Sequence, residues 1–390
     1  MNFSFATVPP ILFGAGEHKN IPSLCATFGS RVLIVRGGAS FDQSEVCQKI
    51  RQRLEAQGQV TQCHISGEPS PSIIDESVQK HRNFHPDVIL AVGGGSVIDA
   101  AKAIAGLLPC GHSVLDYLEG VGAGHEYHGP CLPWIAVPTT AGTGSETSKN
   151  AVLSQQGLGG YKKSFRSDQL IAHHIVMDPE LHISCPAAIT AACGMDAFTQ
   201  LLESYVSTRA NTMSDALAWN GMEKAHDHLL DAFNTGQLES RSGMAYASML
   251  SGITLANVGL GSVHGLASPL GAFFPIPHGV VCGTLVGVAT RINIEAMQHR
   301  EPQNPALQKY AKVGRLLSDQ PRLKDEQAHA ALIAILDDWI QQLHIPRLSE
   351  FQIQATDIDQ IVAGSRGNSM QTNPIELTDA EIHQIVRECL

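Results

Sequence analysis

No Cys-x-x-Cys pair occurs in this chain, and its nine cysteines are scattered and odd in number. Unpatterned cysteines in a long chain read as free thiols of a reducing, cytoplasmic compartment, not as a disulfide scaffold. Dense basic blocks are missing too. Lys and Arg total 26 against 37 Asp and Glu, a formal charge of −11. Lys162, Lys163 and Arg166 form too small a run to reverse that balance, so nucleic acid and anionic membranes are excluded as partners. The N-terminal MNFSFATVPPILFGAG lacks a charged segment followed by an apolar one, so it is not read as a signal peptide. No apolar run approaches the roughly 20 residues that cross a bilayer. There is no internal repeat and no low-complexity tract. Neither GxGxxG nor GxxxxGK[ST] occurs, so the standard dinucleotide fingerprint and the nucleotide-triphosphatase loop are both absent.

What is present is a chain of 390 residues, 43% hydrophobic, long enough for two domains each with a proper core. The first half alternates strands and helices. RVLIV (31–35), QVTQCHI (59–65), DVILAV (87–92) and PWIAVPTT (133–140) read as strands. Helical stretches lie between them near 43–57, 72–83 and 96–108. The near-continuous apolar runs suit strands buried on both faces, and the alternation implies a parallel, doubly wound sheet. Near residue 180 the texture changes to long helical patterns, including 187–207, 212–233, 243–261 and 328–343, and strand signals almost vanish. The expected division is 1–180 as an α/β cofactor-binding domain and 181–390 as an all-helical metal and substrate domain.

Three glycine-rich turns follow strands. Gly93, Gly94, Gly95 and Ser96 close one strand and open a helix. Backbone N–H groups and the positive dipole end there attract phosphate, and glycines permit close approach. Thr139, Thr140, Ala141, Gly142, Thr143 and Gly144 follow the next buried strand, where ligands of open α/β sheets bind. The first turn carries Arg36, Gly37, Gly38 and Ser40, with no acid before Asp42 to take a ribose 2′-hydroxyl. That leaves room and donors for a 2′-phosphate, and NADP(H) and NAD(H) both stay open.

The second half holds His264 and His278, fourteen residues apart in GSVHGLASPLGAFFPIPHG. Upstream, Asp196 and Gln200 stand four apart on a helix and share a face. One carboxylate and two imidazoles suit a divalent metal. The HxH at His226 and His228 is different, because a helix points the two rings about 200° apart, as on a surface.

These motifs, in this order, resemble the iron-containing (group III) alcohol dehydrogenase family nearly end to end. The likeness runs through FGAG (13–16), GGGSVIDAAK (93–102), VPTTAGTGSE (137–146), DPEL (178–181), GMDAFTQLLESYVS (194–207), NVGLGSVHGLASPLGAFFPIPHG (257–279) and TNPIELTDAEI (372–382). The resemblance implies a dinucleotide-binding α/β domain and an all-helical domain with the active site in the cleft between them. It implies hydride transfer between NAD(P)(H) and a primary alcohol or aldehyde, assisted by Fe²⁺ or Zn²⁺, in at least a homodimer. Family ligands are one aspartate and three histidines. Asp196, His264 and His278 match three, while the fourth falls on Gln200, a poorer ligand that weakens the site. A further family histidine of the catalytic pocket falls on Ser268. Gly94, Gly95 and Ser96 would hold the pyrophosphate, with Asp99 among the cofactor-side residues and Gly37, Gly38 and Ser40 at the first turn. Thr139, Thr140 and Thr143 would lie on the ribose–nicotinamide side, with Lys162 near the nicotinamide ribose. Two other outcomes are a metal-independent reductase of an activated carbonyl, like a maleylacetate reductase, and a cofactor-binding relative with impaired catalysis. A lyase like dehydroquinate synthase is disfavoured by the apolar surroundings of Phe273, Phe274 and Ile276.

Overall fold

The computed structural model describes residues 2–157 and 159–390. Eight strands occur among them: β1 Ile11–Phe13, β2 Arg31–Arg36, β3 Gln59–His64, β4 Val88–Gly93, β5 Trp134–Pro138, β6 Asn150–Gln155, β7 Tyr161–Arg166 and β8 His174–Met177. Six form a parallel sheet in the order β1-β8-β5-β4-β2-β3, and β6 and β7 pair antiparallel as a separate hairpin. The four strands expected from sequence are present within a residue or two. The central strands β4 and β5 are buried at every position, whereas the edge strand β3 is mostly half-exposed. That is why the central strands read as unbroken apolar runs and β3 as an alternation.

The sheet has a core on each side. Leu33, Val35, Ile89 and Ala91 face one side together with the helix Gly95–Cys110. Val32, Ile34, Leu90 and Val137 face the other with Ile21, Ile50 and Leu54. Strand order turns between β2 and β4: β3 lies beyond β2, and β5 beyond β4. Such a switch point leaves a crevice at the carboxyl ends of the strands, and the glycine turns stand there.

After β8 ends at Met177, no strand occurs among the described residues. The helices that build the site are Ala187–Val206, Leu238–Val258, Ser262–Phe273 and His278–Arg300. The last corrects the expectation that no stretch nears bilayer length: it has 23 residues, and 83% of its most apolar window is buried within the protein. Its apolar side chains are used by packing on all sides. His226 and His228 also differ from expectation, being half-buried, because His228 packs over Gly243.

Candidate active site

The three glycine turns converge. A Cβ on Gly94 would lie 3.1 Å from Thr140 Oγ1, and one on Gly95 only 2.6 Å from Thr143 Oγ1. Only glycine lets the second loop come so close to the helix start. The N-terminus of Gly95–Cys110 has no side-chain cap, so its first N–H groups are available to an anion. Gly37 faces Val97 of the same helix, and the exposed Gly38 and Ser40 extend this surface. Arg36 donates to Gln62 Oε1 at 2.7 Å and pairs with Asp42 at 3.1 Å. Thr139 donates its backbone N–H to Gly93 O at 3.0 Å, joining the turns after β4 and β5.

A buried polar network fixes the second loop from below. Lys102 Nζ donates to Ser145 O at 2.8 Å, Asn150 O at 2.5 Å and Ser148 Oγ at 3.2 Å. Ser145 Oγ donates to Asp99 at 2.5 Å. Burial lowers the Lys102 ammonium to about 8 and raises Glu146 to about 7. Burial also raises Asp99, against the opposing pull of Lys102. Asp99 thus supports the loop from beneath.

The second cluster is built by three helices. Asp196 and Gln200 project from one face of Ala187–Val206, His264 from the first turn of Ser262–Phe273, and His278 opens the helix that follows Pro277. Asp196 Oδ1 lies 3.1 Å from His264 Nε2 and 3.8 Å from His278 Nε2. Cys282, one turn after His278, places Sγ 3.5 Å from His264 Nε2 and 3.8 Å from His278 Nε2. One donor atom from each of the four lies within 4.8 Å of the others. Four such donors within reach of one point could hold a metal ion.

Electrostatics follow from that crowding. Burial alone would raise Asp196, but His278, His264 and the Gln200 amide bring it down to about 2. Burial opposes charge on His264, yet the Cys282 sulfur, Asp196 and Glu203 hold it well above the usual histidine range. Desolvation, with Lys162 nearby, pushes His278 down to about 4, and burial pushes the Cys282 thiol up to about 12. Glu203 Oε2 lies 2.7 Å from His264 Nδ1, and its other oxygen accepts the Val263 N–H at 2.7 Å.

The two clusters touch. Gln200 Nε2 donates to Asp196 Oδ1 at 3.1 Å and to Thr143 O at 3.3 Å, while its Oε1 accepts from Ser251 at 3.0 Å. Lys162 on β7 pairs with Glu68 at 2.6 Å and lies against the Ser262–Phe273 helix, where Ser268 donates to its carbonyl at 3.3 Å. Contacts thus link the residues singled out by motif: the turns after β4 and β5 reach the Asp196–Gln200 pair through Thr143, and Lys162 reaches the His264 helix through Ser268. Cys282, Glu203, Glu68 and Lys102 were not among them. Cys282 stands at helical spacing from His278, and Glu203 and Lys102 lie within the motifs themselves.

Comparison with known proteins agrees with this architecture. Residues 9–179 match the iron-containing alcohol dehydrogenase family, and residues 190–390 match the C-terminal domain of the Fe-containing alcohol dehydrogenase family. Alcohol dehydrogenase 4 of Schizosaccharomyces pombe is 31% identical over 346 residues, 88% of this chain and 78% of the relative. An NADPH-dependent butanol dehydrogenase of Clostridium saccharobutylicum is 28% identical over 392 residues, 97% of this chain and 96% of the relative. Among solved structures, a 1,3-propanediol oxidoreductase superposes with a TM-score of 0.90 at 28% identity, covering 100% of both chains. With both halves matched and the fold shared throughout, the chain belongs to the iron-containing alcohol dehydrogenase family.

Proposed function

We propose that this NAD(P)-dependent alcohol dehydrogenase oxidises a small primary alcohol, or reduces the matching aldehyde, in the cleft between residues 1–180 and 181–390. The observation that carries this reading is the Gln200 amide, which bonds to the Asp196 carboxylate at 3.1 Å and to the Thr143 carbonyl at 3.3 Å. One side chain thus ties the metal-capable cluster to the cofactor loop.

The residues fit both groups. Gly94, Gly95 and Ser96 would hold the pyrophosphate at an uncapped helix start. Gly37, Gly38 and Ser40 would border the adenosine ribose, while Thr139, Thr140, Thr143 and Lys162 would border the nicotinamide side, with Asp99 bracing the loop. Asp196, His264 and His278, with Gln200 beside them, would hold Fe²⁺ or Zn²⁺. When bound, the nicotinamide gives or takes the hydride, and the divalent ion draws electron density from the alcohol or carbonyl oxygen. Glu203 keeps the His264 Nδ1 proton in place, so that Nε2 faces the cluster. Gln200 orients Asp196. Phe273 and Phe274 precede His278 by five and four residues and favour a small, apolar substrate. A metal-independent reductase is disfavoured, because it has no use for an acid and two imidazoles gathered in one buried place.

The absence of an acid before Asp42 supports NADP(H) alongside NAD(H). Nine free thiols support a reducing, cytoplasmic setting, and the family resemblance supports a homodimer or larger homo-oligomer. The test is aldehyde-dependent oxidation of NADPH and NADH by metal-free protein, then by protein reloaded with Fe²⁺ or Zn²⁺. Activity restored by metal supports the reading. Equal activity with and without metal overturns the metal's role, and no cofactor oxidation with any aldehyde overturns the reaction class.

A further inference from the structure

Gln200 occupies a ligand position of the family, yet its geometry does not present a ligand atom. Both hydrogens of its amide nitrogen are engaged, one by Asp196 Oδ1 at 3.1 Å and the other by Thr143 O at 3.3 Å. Its oxygen is turned away to the Ser251 hydroxyl at 3.0 Å. Rotating the amide would set that oxygen against a carboxylate and a carbonyl, two acceptors with no proton between them. Gln200 is therefore held as a donor, and the cluster lacks its family's fourth ligand at that position.

Cys282 supplies a donor from another direction. It is fully buried and lies one turn after His278 on the same helix face. A tetrahedral ion with bonds of about 2.0 Å to nitrogen or oxygen and about 2.3 Å to sulfur has ligand–ligand edges of about 3.3 and 3.5 Å. The edges of the cluster are 3.1 and 3.8 Å from Asp196 Oδ1 to the two Nε2 atoms, and 3.5 and 3.8 Å from Cys282 Sγ to the same two atoms. These are coordination-sized separations around a shared centre.

The geometry points to Cys282, not Gln200, as the fourth protein ligand, in an Asp196–His264–His278–Cys282 set that is selective for Zn²⁺ over Fe²⁺ beyond the usual preference of nitrogen and oxygen ligands. The inference rests on the metal-assisted reading above. On binding, the S–H bond breaks, a bond from Sγ to the metal forms, and the proton leaves to solvent. Thiolate is a soft ligand and shifts selectivity toward zinc. Zinc can expand to five ligands, which leaves a place for the substrate oxygen.

The direct test is X-ray absorption at the zinc edge on the full native chain loaded with one equivalent of Zn²⁺. One sulfur neighbour at about 2.3 Å is expected. Competitive dialysis of Zn²⁺ against Fe²⁺ gives the second readout: the zinc preference should fall at least tenfold in Cys282→Ser, and in Cys282→Ala. Bound zinc with only nitrogen and oxygen neighbours overturns the role of Cys282 while leaving the metal-assisted reading intact. Failure of the native chain to retain either ion overturns both, and the aldehyde assay then still reports whether hydride transfer stands. If neither variant folds, the native spectrum alone decides.

Discussion

Glu203 accepts a hydrogen bond from His264 Nδ1–H at 2.7 Å and thereby aims the opposite ring nitrogen at Asp196, 3.1 Å away. Carboxylates behind metal-binding imidazoles raise ligand basicity and hold ring orientation, and their loss typically costs 10–100-fold in affinity. Glu203→Gln keeps the shape but offers an amide in place of the charge. Chelator competition should show metal affinity falling by about tenfold or more, with cofactor affinity unchanged. Unchanged metal affinity would reduce Glu203 to a packing residue.

His278→Ala removes an imidazole that sits a quarter exposed, 3.8 Å from Asp196 Oδ1. Turnover should drop by at least about 100-fold, since positioning and charge stabilisation at the reacting oxygen are each worth several kcal/mol. Cofactor binding, followed by fluorescence titration, should stay near native. Parallel loss of both would mean that the helices had collapsed.

Lys102 bonds to Ser145 O and Asn150 O from beneath the cofactor loop. Lys102→Met leaves those buried carbonyls without a donor, which costs about 1–3 kcal/mol. The urea midpoint should fall accordingly, and the KM for NAD(P)H should rise more than kcat falls. An intact midpoint with intact cofactor KM would show that the loop holds itself.

Gly144 and Gly252 meet backbone to backbone. A Cβ on Gly252 would lie 2.2 Å from Gly144 O and 2.3 Å from Thr147 Oγ1. Gly144 itself has φ near 62°, which disfavours any side chain. Gly252→Ala should destabilise by about 1–3 kcal/mol, as overpacked sites do, and displace the loop carrying Thr143. Thermal unfolding checks the first effect. A raised cofactor Kd checks the second.

His182 is buried and lies 3.0 Å from Pro138 O at the end of β5, with desolvation lowering it to about 4. Its unfolded value is near 6.5, so between about pH 6.5 and 4 the unfolded chain binds the extra proton. Stability should therefore fall on acidification through that window, by up to about 1.4 kcal/mol per pH unit from this group. In metal-free protein, His182→Gln should flatten the dependence of the urea midpoint on pH. A slope unaltered by the substitution would assign it to other groups.

Much of this fold was legible because the central strands are buried on both faces, and β4 and β5 show that as unbroken apolar runs. The three-residue β1 and four-residue β8 carry too little pattern to stand out, and their pairing is set by the sheet edge they complete. The β6–β7 hairpin includes the charged YKKSFR, whose exposed positions mask its period. At the site, the spacing of Asp196, His264 and His278 was readable. Cys282 was not, since it joins the cluster only if a helix starts at His278, and the flanking Pro277 and Gly279 suggest a loop. Lys102 was not singled out, because its partners lie 43 to 48 residues away in the chain.

The close seat of Gly144 on Gly252 also constrains how the molecule moves. Gly144 stands in the loop after β5 and Gly252 in the helix Leu238–Val258, so with a Cβ on either meeting the other's backbone inside 2.5 Å, neither segment can advance on the other.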